Sequence, residues 1–235
     1  MWKKIKENLC STKYFNIIYC NDDLEIGNFI VNNIDNFYIR LCNDFKIEIL
    51  DNFNFTIIVA NSIDDYINYT GKAKSEYKTW MVGHSNLKTR KICILSPEIA
   101  KDYSSEELIQ VLKHEIVHAV FDNYYGTEEN EAWISEGVAL LYAGQIDLQY
   151  VEEAIPIEKI QGKTINGDTP DNFIENGGYD VAGIYVYWLF NKYGFEMFSK
   201  VYKNEIYINE LIYPGFENEA ITFYKNHISL QNCLK

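Results

Sequence analysis

The stretch Ser104–Val120 reads Ser-Ser-Glu-Glu-Leu-Ile-Gln-Val-Leu-Lys-His-Glu-Ile-Val-His-Ala-Val. Ser104-x-x-Glu107 is a capping-box pattern, in which a hydroxyl and a carboxylate satisfy amides of the first helical turn. Behind it, Leu108, Ile109, Leu112, Ile116, Ala119 and Val120 recur at steps of three and four. The spacing predicts a helix from Ser104 to about Phe121 with one apolar face. Inside it sits His114-Glu115-Ile116-Val117-His118. Residues four apart on a helix project from one face, so both imidazoles reach a single ion, while Glu115 is rotated aside toward a water held there.

Upstream, the chain reads as strands with interposed helices. Tyr14–Tyr19 is aromatic and β-branched and runs into Asn21-Asp22-Asp23, a strand followed by a cap. Ile26, Phe29, Ile30, Ile34, Phe37, Tyr38 and Leu41 predict an amphipathic helix from Leu24 to about Phe45. Phe55–Ala60 predicts a second strand. Asn61-Ser62 then caps a short helix to about Tyr69, which Thr70-Gly71 closes. Lys78–Val82 and Arg90–Leu95 read as two more strands, with Gly83-His84-Ser85-Asn86 as the turn between them.

Downstream the pattern turns helical: Glu128 to about Gly144, a weaker segment at Leu148–Ala154, Asp180–Tyr193, and two more before the end. The Gly/Asn-rich stretch Gln161–Gly178 reads as a mobile loop, and Gly162, Gly167, Gly177, Gly178 and Gly183 could hinge it. Strands first and helices later predict an α+β fold, with helices on one face of a mixed sheet. The organisation expected is a single domain over 1–235, with an N-terminal α/β part of about 12–122 and a helical part of about 123–235.

Of 235 residues, 47% are apolar and 23% charged, with 13 Gly and 4 Pro. That balance excludes disordered and collagen-like chains. A formal charge of −13 repels polyanions, so nucleic acid and anionic membrane surfaces are not expected partners, whereas cationic peptides and metal cations meet a favourable field. The cysteines Cys10, Cys20, Cys42, Cys93 and Cys233 are odd in number and contain no C-x-x-C pair, which reads as free thiols in a reducing compartment. Neither a secretory leader nor a run of roughly 18 apolar residues is evident, so a soluble, cytoplasmic protein is expected.

A second motif bears on the histidines. Asn130-Glu131-Ala132-Trp133-Ile134-Ser135-Glu136-Gly137-Val138-Ala139 places Glu136 after His118 with seventeen residues between. Two helices joined by a short loop would return this carboxylate to the imidazoles. Two His and one Glu around an open fourth position form a catalytic zinc arrangement, and two imidazoles disfavour magnesium or calcium.

These residues resemble the gluzincin metallopeptidases, in particular the short peptidase MA-like group. The likeness rests on His114-Glu115-x-x-His118, on Trp133-x-x-Glu136-Gly137-x-Ala139, and on the Tyr179–Tyr193 segment ending in Lys192-Tyr193-Gly194. With the strand-helix-strand opening it spans about Tyr14 to Lys203. It implies a zincin-like fold, one zinc ion per chain held by His114, His118 and Glu136, Glu115 as catalytic base, and a peptide or protein substrate. Tyr179, ten residues before Leu189, matches the place of a tyrosine that donates a hydrogen bond to the developing oxyanion. An edge strand before the zinc helix pairs with extended substrate in zincins, which would fall to Arg90–Leu95. The alternative is an ordinary sheet strand in which Lys88, Arg90 and Lys91 protect the edge.

The sequence departs from the family in two places. The thermolysin-like branch has an aspartate where this chain has Leu140, and nothing between Lys78 and Leu95 reproduces the Gly-x-Met-x-Asn strand of the aminopeptidases. Aminopeptidase specificity therefore does not carry over. Tyr185, Tyr187 and Tyr193 flank Tyr179 in a stripe that also suits core packing, His84 reads as a solvated turn residue, and His227 has no companion motif. Two other readings stand beside the peptidase: a non-proteolytic zinc-binding module that serves as a partner-binding or regulatory protein, and a helical protein whose histidines hold no metal. Glu115 favours the enzyme, since a purely structural site needs no base.

Overall fold

Phe15–Cys20, Phe55–Ala60 and Lys91–Leu95 are short apolar runs rich in β-branched residues, the pattern of strands covered on both faces. The computed structural model of the chain describes residues 7–126, 131–146, 154–160, 170–203 and 205–233. These fall into two units, Met1–Tyr124 and Tyr125–Lys235.

The first unit is built on a mixed five-stranded sheet in the order β1-β2-β3-β5-β4. The three apolar runs are β2 (Phe15–Cys20), β3 (Phe55–Ala60) and β5 (Lys91–Leu95), parallel neighbours at its centre. β1 (Glu7–Ser11) and β4 (Gly83–Asn86) close the two edges in antiparallel pairing. Helix α1 (Leu24–Asp44) connects β2 to β3 and buries Ile26, Ile30, Ile34, Tyr38 and Leu41. The Tyr38 ring stacks on Phe53 at 4.5 Å, and its hydroxyl accepts a hydrogen bond from the Leu50 amide at 3.1 Å. Helix α2 (Ile63–Thr70) starts where the Ser62 hydroxyl accepts from the Asp65 amide, and ends at Gly71 with φ +74°, a left-handed cap that suits glycine. Helix α3 (Ser105–Tyr125) follows β5.

Two expectations need correction here. The strand before β5 is Gly83–Asn86, not Lys78–Val82, so the four residues read as a turn are themselves extended, pairing Gly83 with Ile94 and Asn86 with Lys91. The reversal lies at Leu87–Arg90, where the Thr89 amide donates to Asn86 Oδ1 at 3.1 Å and Arg90 takes φ +52°. Pairing to a buried neighbour overrides the turn propensity of Gly, Ser and Asn. The strand read as Arg90–Leu95 is consequently interior, between β3 and β4, and the edge belongs to β4. The broader reading agrees with the structure, which is α+β with a mixed sheet and interposed helices first and mainly helices from α3 onward.

The second unit is helical: α4 (Ala132–Ala143), α5 (Ile157–Ile160), α6 (Pro170–Glu175), α7 (Gly178–Tyr202) and α8 (Phe216–Cys233). α6 occupies part of the stretch read as a mobile loop, while the expected helix over Leu148–Ala154 falls largely, and Gly162 and Gly167 fall wholly, outside the described residues. α7 runs past Tyr193, with a break at Gly194 (φ 80°, ψ 163°). Phe190 spans that break, stacking on Phe195 at 4.6 Å and meeting Phe198 edge-on at 4.3 Å. α8 packs on α7 through Trp188 against Phe216 and Tyr187 against Tyr224. The closest approach is α4 to α7: a Cβ on Gly137 would stand 2.5 Å from the Ala182 carbonyl oxygen and 2.6 Å from Val186 Cγ2. Backbone cannot yield as a side-chain tip can. Gly137→Ala is therefore expected to cost about 1–3 kcal/mol through overpacking, read as a lower denaturant midpoint with unchanged m-value.

One buried carboxyl ties strand ends together in the first unit. Asp23, 4% exposed, accepts a hydrogen bond from Ser96 Oγ at 2.6 Å, while its Oδ2 has no partner among the described residues. Burial pushes its pKa up, aided by Asp22 and Glu98 and opposed by the Ser96 bond. A carboxyl whose folded pKa exceeds its unfolded value binds its proton more tightly when folded. Its stabilisation is full below the unfolded value near 4 and is lost as pH rises through the folded one. Asp23→Asn should flatten this part of the stability profile, so that thermal unfolding from pH 4 to 7 shows a smaller decline than in the parent.

Candidate metal centre

α3 begins as its capping box dictates. The Glu107 amide donates to Ser104 Oγ at 3.2 Å, and the Ser104 amide and hydroxyl both donate to Glu107 Oε2 at 2.7 Å. These bonds hold the Glu107 carboxyl below its ordinary range. Leu108, Leu112, Ile116, Ala119 and Val120 are buried, which fixes the rotation of the helix about its axis. His114 is also buried and His118 half-buried. Their rings stand 4.7 Å apart at 69°, with Nε2 to Nε2 at 3.0 Å.

Nitrogens that close share either one proton or one cation. For a tetrahedral zinc ion about 2.0–2.1 Å from each ligand nitrogen, the two nitrogens would stand roughly 3.3 Å apart, close to the separation found. His114, His118 and Glu136 each offer one ligand atom, and the three atoms lie within 4.8 Å of one another. Among the described residues this is the one group of three or more His, Cys, Asp or Glu side chains so disposed. Two nitrogens and one carboxylate oxygen form a donor set that fits a borderline-soft divalent ion. The group could hold a metal ion.

Glu136 comes from α4, whose sequence is apolar almost all round: Trp133, Ile134, Gly137, Val138, Ala139 and Leu140 are all buried. The Gly137-x-Ala139 pair allows the close approach to α7 that its sequence suggests. Leu140, at the place of the thermolysin-like aspartate, is buried near α7, its Cβ 3.3 Å from where a Cβ on Gly183 would sit. Its side chain packs and has no hydrogen-bonding group.

Glu115 is half-buried and lies against the edge strand of its own unit: a Cβ on Gly83 would stand 3.2 Å from its Oε1. Its charge adds to burial in pushing up the phenol of Tyr66 and the thiol of Cys93. His84 is a strand residue, paired with Cys93, rather than a turn residue. Burial lowers its pKa, Glu115 opposing while Lys72 and His118 reinforce the shift. Arg90 and Lys91 do not guard an edge: Arg90 donates to the carbonyls of Asn52 and Phe53 and to Asn123 Oδ1, and lies over the Phe55 ring at 4.7 Å, while Lys91 lies over Tyr69.

Tyr179 stands in the first turn of α7, 37% exposed, edge-on to Phe173 at 5.0 Å. The other tyrosines of its stripe serve packing. Tyr185 donates to the Ile155 carbonyl at 2.6 Å, Tyr193 to the Leu211 carbonyl at 2.7 Å, and Tyr187 lies among Phe223, Tyr224 and His227. His227 packs on Phe223 at 4.4 Å, a structural place in α8. Sequence reasoning missed Tyr66 and Gly83 as neighbours of Glu115. A glycine inside a strand, the usual mark of a close backbone approach, was the available signal for the second.

The purified protein is expected to bind one equivalent of a divalent metal ion per chain, measured by elemental analysis and by competition with a chromophoric chelator. His118→Ala and Glu136→Ala should each weaken binding by more than the roughly 10- to 100-fold that loss of an outer-shell partner costs. The sequence matches no known family model, and no curated protein matches it.

Proposed function

We propose that this chain is a zinc-dependent peptidase of gluzincin type on a zincin-like fold. The observation that carries the reading is the grouping of His114, His118 and Glu136 with Glu115 on the same helical turn as the first histidine. The mixed sheet with a short antiparallel edge strand, β4, beside the histidine-bearing helix supports it. So does the acid surplus, which favours a resident cation and basic peptide substrates over polyanions.

A zinc ion at these residues supplies Lewis acidity, polarising a carbonyl and lowering the pKa of water toward 7. The remaining steps belong to the chain. His114, His118 and Glu136 would hold the ion. The Glu115 carboxylate takes a proton from the attacking water and delivers it to the leaving amine nitrogen. The Tyr179 hydroxyl donates a hydrogen bond to the tetrahedral oxyanion, a contact whose loss raises the barrier by about 3–4 kcal/mol in comparable sites. An extended peptide pairs along β4, the sheet edge adjoining α3.

The working compartment in this reading is the reducing cytoplasm, in keeping with the free thiols of Cys10, Cys20, Cys42 and Cys93. Among the described residues no helix is long and apolar enough to cross a membrane.

Glu115→Gln is the decisive variant. It should bind zinc as the parent does and lose roughly 10²–10⁴-fold in kcat on any peptide that the parent cleaves in a zinc-loaded library screen. Turnover by Glu115→Gln at the parent rate would sink the base assignment. A zinc-loaded parent that cleaves no peptide would turn the reading to a non-proteolytic zinc module.

A further inference from the structure

Glu115 is a flexible side chain that must keep its carboxylate in one place to act as a base, and the edge strand sets that place. Gly83 opens β4, and a Cβ there would stand 2.3 Å from Val111 Cγ1 and 3.2 Å from both Cγ and Oε1 of Glu115. Gly83 thus puts no side chain between the strand and the carboxylate, and Glu115 lies within van der Waals reach of the place a Cβ would take. The Gly83 peptide is held from two directions. β5 pairs with it through Ile94, and the Leu95 amide donates to the adjacent Val82 carbonyl at 2.9 Å. From α2, the Tyr66 hydroxyl donates to the Gly83 carbonyl oxygen at 2.7 Å.

Tyr66 is almost wholly buried, and among the described residues its hydroxyl makes no other hydrogen bond. Burial, with the Glu115 charge adding, pushes its pKa far above the ordinary tyrosine value, so the phenol is a donor at neutral pH. The ring meets Tyr77 edge-on at 6.0 Å, a contact that phenylalanine would keep. The hydroxyl adds to that packing one bond, aimed at the peptide beneath Glu115.

We propose that Tyr66 is a positioning residue for Glu115, its hydroxyl fixing the Gly83 peptide and thereby the seat of the carboxylate. The catalytic consequence rests on the peptidase reading, whereas the seating itself rests on the first unit alone. Misplacing a reacting group by about 1 Å costs on the order of a hundredfold in rate without altering how substrate is held.

The test compares Tyr66→Phe, the pair Gly83→Ala/Val111→Ala, and Thr70→Val. The second variant gives the new Cβ room at Val111 but keeps it against Glu115. The third removes another buried hydroxyl of α2, which donates to the Ile67 carbonyl at 3.1 Å and does not touch Gly83. Three quantities are read: the ¹³C resonance of the Glu115 carboxyl in glutamate-labelled protein, assigned by its loss in Glu115→Gln; zinc per chain; and kcat and KM on a peptide that the parent cleaves. Tyr66→Phe and the Gly83/Val111 pair should shift the Glu115 resonance, retain one zinc, and lose roughly 10- to 100-fold in kcat with KM little changed. Thr70→Val should leave all three as in the parent despite a lower melting temperature. An unshifted resonance with parental kcat in Tyr66→Phe overturns the proposal, as does an equal kcat loss in Thr70→Val. If Tyr66→Phe does not fold, the Gly83/Val111 pair decides by the same criteria. A parent that binds zinc and cleaves nothing refutes the peptidase reading, and the Glu115 resonance then decides the seating by itself.

Discussion

Two imidazoles on successive turns of α3, with ring nitrogens 3.0 Å apart, impose a demand that the surrounding structure must meet. Neutral nitrogens so close, one ring buried and the other half-buried, need a proton or a cation between them. What aims them is the rotation of the helix, and that rotation is set far from the histidines. The capping box at Ser104 and Glu107 fixes where the helix begins, and the buried stripe from Leu108 to Val120 fixes which face turns inward. A one-residue slip would swing both rings by about 100°. α4 is disciplined in the same manner: most of its circumference is buried apolar side chain, and Glu136 is one of its few half-exposed positions.

The parts legible in the sequence are those whose cause is local. α1, α2 and α3 announce themselves by period and caps, and Ser62, Gly71 and Ser104 act at the positions their chemistry suggests. β3 is an uninterrupted apolar run and reads directly. The edge strands do not. β1 is polar and mostly exposed, and β4 is four residues of turn-forming composition that become a strand because β5 offers them a ladder. Mistaking that strand for a turn also moved the sheet edge by one position. The grouping of the histidine pair was readable from spacing, and that of Glu136 with it from the small residues that follow it. Tyr66 was not, because its tie to Gly83 spans seventeen residues and depends on how α2 meets an edge strand.

Electrostatics in this chain is largely a matter of where the scarce cations go. Arg90 is committed to carbonyls at the start of β3 and to the Phe55 ring. Lys192 lies over Trp188 at 4.4 Å and Tyr213 at 4.6 Å and donates to Tyr213 and to Glu219, whose carboxyl is held below its usual range by the Tyr213 hydroxyl above all, and then by Lys192 and Trp188. Basic side chains that serve as aromatic lids and carbonyl donors hold elements in place and do little to offset the long-range field of thirteen excess negative charges.

The placement of the edge strands also bears on how the sheet behaves toward copies of itself. Its apolar strands, β2, β3 and β5, are interior, while among the described residues the rims are the mostly exposed β1 and the four-residue β4 begun by glycine. A four-residue rim of Gly, His, Ser and Asn, such as β4, is a poor template for intermolecular ladder growth. The interior placement of β2, β3 and β5 keeps these apolar, β-branched segments from pairing with other molecules.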